Sequence, residues 1–208
     1  MVAIIDYGVG NLFSLCSSFR FIGEEATVTR DPAVIRGADR VVLPGVGAFG
    51  DAANKLRASG MDLVVKQAAV EGKPLLGICL GMQLLFEKSY EYGEHEGLGL
   101  IPGVIRPIEE VIPEDLKIPH IGWNYLSFTE PRSPIFKHLS EGDFVYFVHS
   151  FYATECEPFV SAVTHYGSPL TAAVGRDNVF GCQFHPEKSG EVGLSILRNF
   201  CSKGVELC

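Results

Sequence analysis

Residues 75–87 read Leu-Leu-Gly-Ile-Cys-Leu-Gly-Met-Gln-Leu-Leu-Phe-Glu. Leu75, Leu76 and Ile78 predict a short buried strand, and Leu80 to Glu87 have helix-forming character. Cys79 therefore falls where a strand turns sharply into a helix, with Gly77 and Gly81 two residues to either side. The form G-x-nucleophile-x-G is that of a nucleophile elbow, in which the crowded backbone leaves no room for a side chain at either glycine. Such a turn exposes the sulfur at the carboxyl end of the sheet and aims the first amides of the next helix at it. Those amides favour a thiolate and can stabilise an oxyanion. An inert thiol at a tight strand–helix joint has the same local spelling, so the surrounding chain has to decide.

Toward the N-terminus the elements alternate. Residues 2–6 predict a strand, and Asn11 caps a helix whose apolar face is Leu12, Leu15, Phe19 and Ile22. Ala26–Thr29 is a second strand, Asp31-Pro32 opens a helical turn, and Arg40–Leu43 is a third strand followed by the loop Pro44–Gly50. One helical stretch then carries Leu56, Met61, Leu63, Val64 and Ala68 up to Gly72. This pattern predicts an α/β fold with an open, mainly parallel central sheet flanked by helices on both faces. From about residue 98 short β-like runs separated by Pro, Gly and charged turns predict additional antiparallel strands, and a helix closes the chain around Val192–Phe200. No repeat or linker interrupts the 208 residues, so residues 1–208 are read as a single domain.

Composition excludes several classes of function. The chain is 47% hydrophobic and 20% charged, as an ordinary soluble protein is. Its formal charge of −8 is dispersed, without a lysine or arginine run, which argues against nucleic acid or an anionic membrane as partner. The N-terminal apolar run is too short for a leader or a membrane span, so a cytoplasmic location is expected. The six cysteines show neither CxxC nor metal-ligand spacing, and free thiols with no metal and no cofactor are expected.

A cysteine nucleophile needs a base. His95, His138 and His165 lie in polar or turn-like settings and read as surface residues. His185 instead ends the run Val179–Phe184 and is followed by Pro186 and Glu187. In extended backbone residues two apart face the same side, so Glu187 can hold one imidazole nitrogen and leave the other free to take a proton. Gly45-Val46-Gly47-Ala48-Phe49-Gly50 satisfies the dinucleotide pattern G-x-G-x-x-G, but the next strand ends at Cys79 and not at an acidic residue. The better use of Gly45–Gly47 is to border the Cys79 crevice and supply a second oxyanion amide beside that of Leu80.

The motifs PGVGAFG, GICLGMQLLFE and FHPEKS, in this order, resemble the class I (triad) glutamine amidotransferases. IDYGVGNL, IGWN (121–124) and YFVHS (146–150) narrow the resemblance to the glutaminase subunits of imidazole glycerol phosphate synthase, across essentially the whole chain. The resemblance implies a flavodoxin-like sheet and a Cys79–His185–Glu187 triad that releases ammonia from L-glutamine. It also implies an oxyanion held by Leu80, Gly45, Val46 and Gly47. Glutamine would be bound by Gly47, Gln83 and Glu91, with Glu94 and Glu96 as alternatives to Glu91. It further implies a heterodimer with a cyclase subunit, a TIM barrel that receives the ammonia in histidine biosynthesis, docked at Trp123, Asn124, Tyr146 and Lys188. Alternatives are the glutaminase of another ammonia-channelling synthase, a thiol hydrolase, and a non-catalytic binding protein on the same fold.

Overall fold

The computed structural model describes residues 1–202; Cys208 and the last stretch of the expected 1–208 domain lie outside the described residues. In chain order the first half forms β1 (Val2–Ile5), α1 (Leu12–Phe21), β2 (Ala26–Thr29), α2 (Pro32–Gly37), β3 (Arg40–Gly45), α3 (Phe49–Ala58), α4 (Met61–Val70), β4 (Leu75–Cys79) and α5 (Leu80–Leu84). The second half adds β5 (Lys88–Ser89), β6 (His95–Glu96), β7 (Val104–Pro107), β8 (His120–Tyr125), β9 (Ser127–Phe128), β10 (Phe144–His149) and β11 (Phe151–Thr154). It ends with β12 (Val160–Tyr166), β13 (Ser168–Arg176), β14 (Val179–Cys182) and α6 (Gly190–Cys201).

Eight strands make the central sheet, in the order β2-β1-β3-β4-β14-β13-β12-β9. The first five are mutually parallel, and β13, β12 and β9 continue antiparallel. Counted alone, the parallel strands have the 2-1-3-4-5 order of flavodoxin-like folds. Successive residues of the parallel strands are buried on opposite faces. Ala3, Ile5, Val41, Leu43 and Leu75 pack on Ile35, Ala52, Leu56 and Val65 of α2, α3 and α4. Val2, Ile4, Val42, Leu76 and Ile78 pack on Leu15 and Phe19 of α1 and on Ile196, Leu197 and Phe200 of α6. With both faces covered the strands read as continuous apolar runs.

Local chemistry explains the element ends. Asn11 accepts from the Ser14 amide at 3.4 Å to cap α1, and Asp31 accepts from the Ala33 amide at 2.8 Å ahead of Pro32 in α2. The single helix expected up to Gly72 is two, because Gly60 takes a left-handed φ of 70° between α3 and α4. β3 runs on through Pro44 and Gly45, where the sequence suggested a loop. α5 ends at Leu84 and not at Glu87, since the carbonyls of Leu84 and Phe86 accept instead from the Leu98 and Gly99 amides.

The joint between β4 and α5 is packed to the limit. A Cβ on Gly81 would overlap the Leu43 carbonyl, and one on Gly77 would sit 2.7 Å from the Met82 Cα. Both neighbours are backbone and cannot swing aside. Gly81→Ala is therefore expected to lower stability by about 1–3 kcal/mol, read as a lower urea midpoint at unchanged slope.

Candidate active site

Cys79 stands at the carboxyl end of β4 with φ 55° and ψ −115°, a conformation costly for a residue with a side chain. The five-residue α5 begins directly after it, so the elbow is present but its helix is short. On one side β3 lies in register, Gly45 opposite Cys79, and on the other β14 pairs parallel with β4, Cys182 opposite Ile78. The β14 pairing brings the second half of the chain to the sulfur. Past Cys182 the chain continues through Gln183 and Phe184, and His185 lines the same cavity as Cys79.

A cavity of about 270 Å³ opens there, lined by Val46, Gly47, Cys79, Leu80, Gln83, Glu91, Pro119, His149, Phe151 and His185, with Val148 and Ser150 completing the wall. Of the residues expected in the triad and oxyanion hole, Gly45 and Glu187 are the two that do not face this cavity. Gly45 lies behind it, where a Cβ would meet the Gly81 nitrogen at 2.7 Å. Glu187 stands behind His185 with its side chain buried, and its Oε1 accepts from His185 Nδ1 at 2.8 Å. That bond fixes the imidazole so that Nε2 faces the site, without a hydrogen-bond partner among the described residues. Resting sites often hold such contacts loosely and tighten them on substrate binding. The His185 backbone is equally fixed: its amide donates to the Tyr146 carbonyl at 3.0 Å and its carbonyl accepts from Ser189 Oγ at 2.6 Å.

Burial disfavours a charged imidazolium at this position. The Cys79 sulfur and the Glu187 carboxylate outweigh that penalty, and the His185 pKa is raised to about 9. Three of the other described thiols are shifted by burial. Burial pushes Cys156 up to about 11 and Cys201 up to about 12, and raises Cys182 as well. None of the three lines the cavity, so the sequence expectation of inert buried thiols fits these positions.

At the far side of the cavity Glu91 Oε2 accepts from the Phe49 amide, the first of α3, at 2.6 Å. Burial pushes the Glu91 carboxyl up, and the Phe49 N–H partly offsets this. Glu94 is exposed and paired with Lys88 at 2.6 Å, and Glu96 points to solvent from β6, so among the three acidic candidates Glu91 faces the cavity. Gln83 is buried, and its Nε2 donates to the Phe151 carbonyl at 3.2 Å and to Gln183 Oε1 at 2.9 Å. Tyr7, which sequence reasoning passed over, donates to the Pro44 carbonyl at 2.8 Å and ties down the end of β3. His149, Ser189 and Gln183 were also missed. Each sits within or beside a motif already singled out, but only the fold shows what it touches.

The antiparallel ribbon β8–β10 forms the outer wall. Its inward residues His120, Val145, Phe147 and His149 are buried. Its outward face carries Ile121, Trp123 and Phe144, each more than half exposed. Tyr146 pairs with Trp123 edge-to-face at 6.2 Å, and Lys188 Nζ stands 5.7 Å from the Tyr146 ring. Asn124 points the other way, donating to the His165 carbonyl at 2.9 Å and to His120 Nε2 at 3.3 Å. Trp123, Tyr146 and Lys188 thus share one exposed cluster, and Asn124 does not.

A cysteine on a strained elbow beside a carboxylate-held histidine narrows the comparison to thiol-dependent acyl transfer. Residues 3–203 match the family "Glutamine amidotransferase class-I". The chain belongs to the class-I glutamine amidotransferases. The "Imidazole glycerol phosphate synthase subunit HisH" of Wolinella succinogenes is 50% identical over 206 residues, covering 98% of this chain and 100% of that one. Its counterpart from Caldanaerobacter subterraneus is 49% identical over 201 residues, covering 96% of this chain and 97% of the relative. Among solved structures a glutamine amidotransferase superposes with a TM-score of 0.74 at 18% identity, covering 97% of this chain and all of the other. A chain of PurLQS from Thermotoga maritima superposes at 0.73 with 20% identity, covering 96% of each. At such identities these structures speak for the fold alone. Among the described residues no group of three or more His, Cys, Asp or Glu could hold a metal, and no helix is long and apolar enough to cross a membrane.

The Glu187 contact generates a pH prediction. Glu187→Gln removes the negative charge that raises the His185 pKa, so the imidazole should titrate at lower pH than in the parent, followed by its ¹⁵N resonances. The sign for stability follows from the raised value. In the parent the interaction stabilises the fold fully below pH 6.5 and is lost as pH rises through about 9. In Glu187→Gln that alkaline loss should shrink.

Proposed function

We infer that this chain is the glutaminase subunit of imidazole glycerol phosphate synthase. It hydrolyses L-glutamine to glutamate and ammonia, and a cyclase subunit consumes the ammonia to form imidazole glycerol phosphate and aminoimidazole carboxamide ribonucleotide in histidine biosynthesis. The observation that carries this reading is the meeting of Cys79, His185 and Glu187 at one cavity, in a chain half identical over its length to proteins of that name. We read residues 1–208 as one domain dedicated to this step.

In the proposed mechanism Cys79 Sγ attacks the carboxamide carbon of glutamine while His185 Nε2 accepts the thiol proton. The tetrahedral oxygen is held by the Leu80 amide together with an amide from Val46–Gly47. Collapse expels ammonia, which takes the proton from His185 and leaves a glutamyl thioester. His185 then activates water to release glutamate and the thiolate. Glu187 positions the imidazole throughout. Glu91 faces the substrate ammonium with the carboxylate oxygen that Phe49 leaves free, and Gln83 and Gly47 hold the rest of the glutamine.

Free ammonia becomes ammonium at neutral pH and is then no nucleophile, so a receiving subunit has to seal the outlet. The exposed face of β8–β10 suits this role, because Trp and Tyr are favoured interface anchors and Val148 of the same ribbon borders the cavity. Partner docking controls the site through the Val46–Gly47 backbone. Gly47 has φ 95°, and a Cβ there would touch nothing within 4 Å, so its constraint is conformational and not steric.

Glutamate release by the purified chain tests the reading, alone and then with a cyclase subunit and its nucleotide ligand. Activity should be low alone, rise in the complex and disappear in Cys79→Ala. High activity indifferent to the cyclase would retain a glutaminase but remove the assignment to histidine biosynthesis. Gly47→Ala should damp the stimulation by the partner far more than its affinity for the partner; equal losses would refute the backbone switch.

A further inference from the structure

Gln183 is completely buried one residue past the end of β14, and its amide lies against the nucleophile. The orientation of that amide follows from one backbone group. The Phe151 carbonyl can only accept, and it faces both Gln83 Nε2 at 3.2 Å and His149 Nδ1 at 2.9 Å. Gln83 must therefore turn its NH2 group inward. Its second hydrogen goes to Gln183 Oε1 at 2.9 Å. With its oxygen engaged, Gln183 presents Nε2 to Cys79 Sγ, 3.9 Å away.

The same carbonyl sets the imidazoles behind it. His149 donates from Nδ1, so its Nε2 accepts from His120 Nδ1 at 2.9 Å, and His120 Nε2 accepts from Asn124 Nδ2 at 3.3 Å. Burial keeps both rings neutral, with His120 pushed down to about 4 and His149 to about 3. The polarity of the whole network is then single-valued at neutral pH.

We propose that Gln183 is a donor to the reacting sulfur, holding Cys79 as a thiolate in the pose for attack. The proposal rests on the glutaminase reading for the identity of the reaction. The sulfur lies between one acceptor, the Val148 carbonyl at 3.9 Å, and one donor, Gln183. As a thiol it donates to Val148. When the proton passes to His185 Nε2 that contact is lost, and the Gln183 N–H contact becomes charge-assisted and about twice as strong. Gln183 thus acts preferentially on the ionised form, and it is itself held by Gln83, on the substrate side of the cavity.

The test uses two full-chain variants. Gln183→Met and Gln183→Leu both remove the donor and the acceptor without introducing a charge beside the sulfur. Iodoacetamide alkylation of Cys79 is followed against pH, with Cys79→Ser as control. The pH of half-maximal alkylation should rise by roughly one unit in each variant. In the complex with a cyclase subunit and its nucleotide, Gln183→Leu should lower kcat by roughly tenfold or more, with KM for glutamine within about twofold. A uniform fall at every pH with the inflection unmoved would mean that Gln183 serves only packing, and would overturn the proposal. If Gln183→Met fails to fold, Gln183→Leu alone decides. Failure of the glutaminase reading is separate: it would leave alkylation intact but give no glutamate release from the parent complex.

Discussion

The site depends on the Leu43 carbonyl lying against Gly81. That approach lets α5 start hard against β3, and the chain can then fold back at Cys79 through a φ that a cysteine adopts only under constraint. If α5 moved outward, Cys79 would relax and Gly45 would lose its close neighbours Gly81 and Leu80. The strained residue is held by backbone on two sides, which is why it can persist without a disulfide or a metal.

A second layer supplies the polar order. His185 and Gln183 both arrive because β14 enters the parallel sheet beside β4, and Ser189 and the Tyr146 backbone then fix the bend that follows. From the opposite wall the Phe151 carbonyl orients Gln83, Gln183, His149 and His120. Each of these side chains could be drawn with either polarity in isolation. A single acceptor removes the choice, and a buried network with no ambiguity costs little to keep rigid.

The elbow, the His-Pro-Glu turn and the first four parallel strands were legible because each is a local pattern: glycines two from a cysteine, residues two apart in extended backbone, apolar runs between caps. The place of β14 was not. Val179–Phe184 reads as one more β-like run in an antiparallel half, and nothing in it says that it pairs parallel to Leu75–Cys79 across the molecule. Gln183 was invisible for the same reason, since its significance lies in what stands opposite. Asn124 shows the converse. The IGWN segment pointed to a surface, but strand alternation turns Trp123 outward and Asn124 inward, and sequence proximity hides that difference. The long helix expected through residue 72 failed on one glycine, because helical periodicity continues across a break that only φ reveals.

The parallel insertion of β14 also orders events during synthesis. Cys79 emerges from the ribosome 104 residues ahead of Gln183, and His185 follows Gln183. Until that last strand is made, β4 has one parallel neighbour, β3, and the edge that β14 will cover is open. At that stage Cys79 has neither Gln183 nor His185 beside it. The cavity at the end of β4 is therefore complete only once residues as late as 185 have been made.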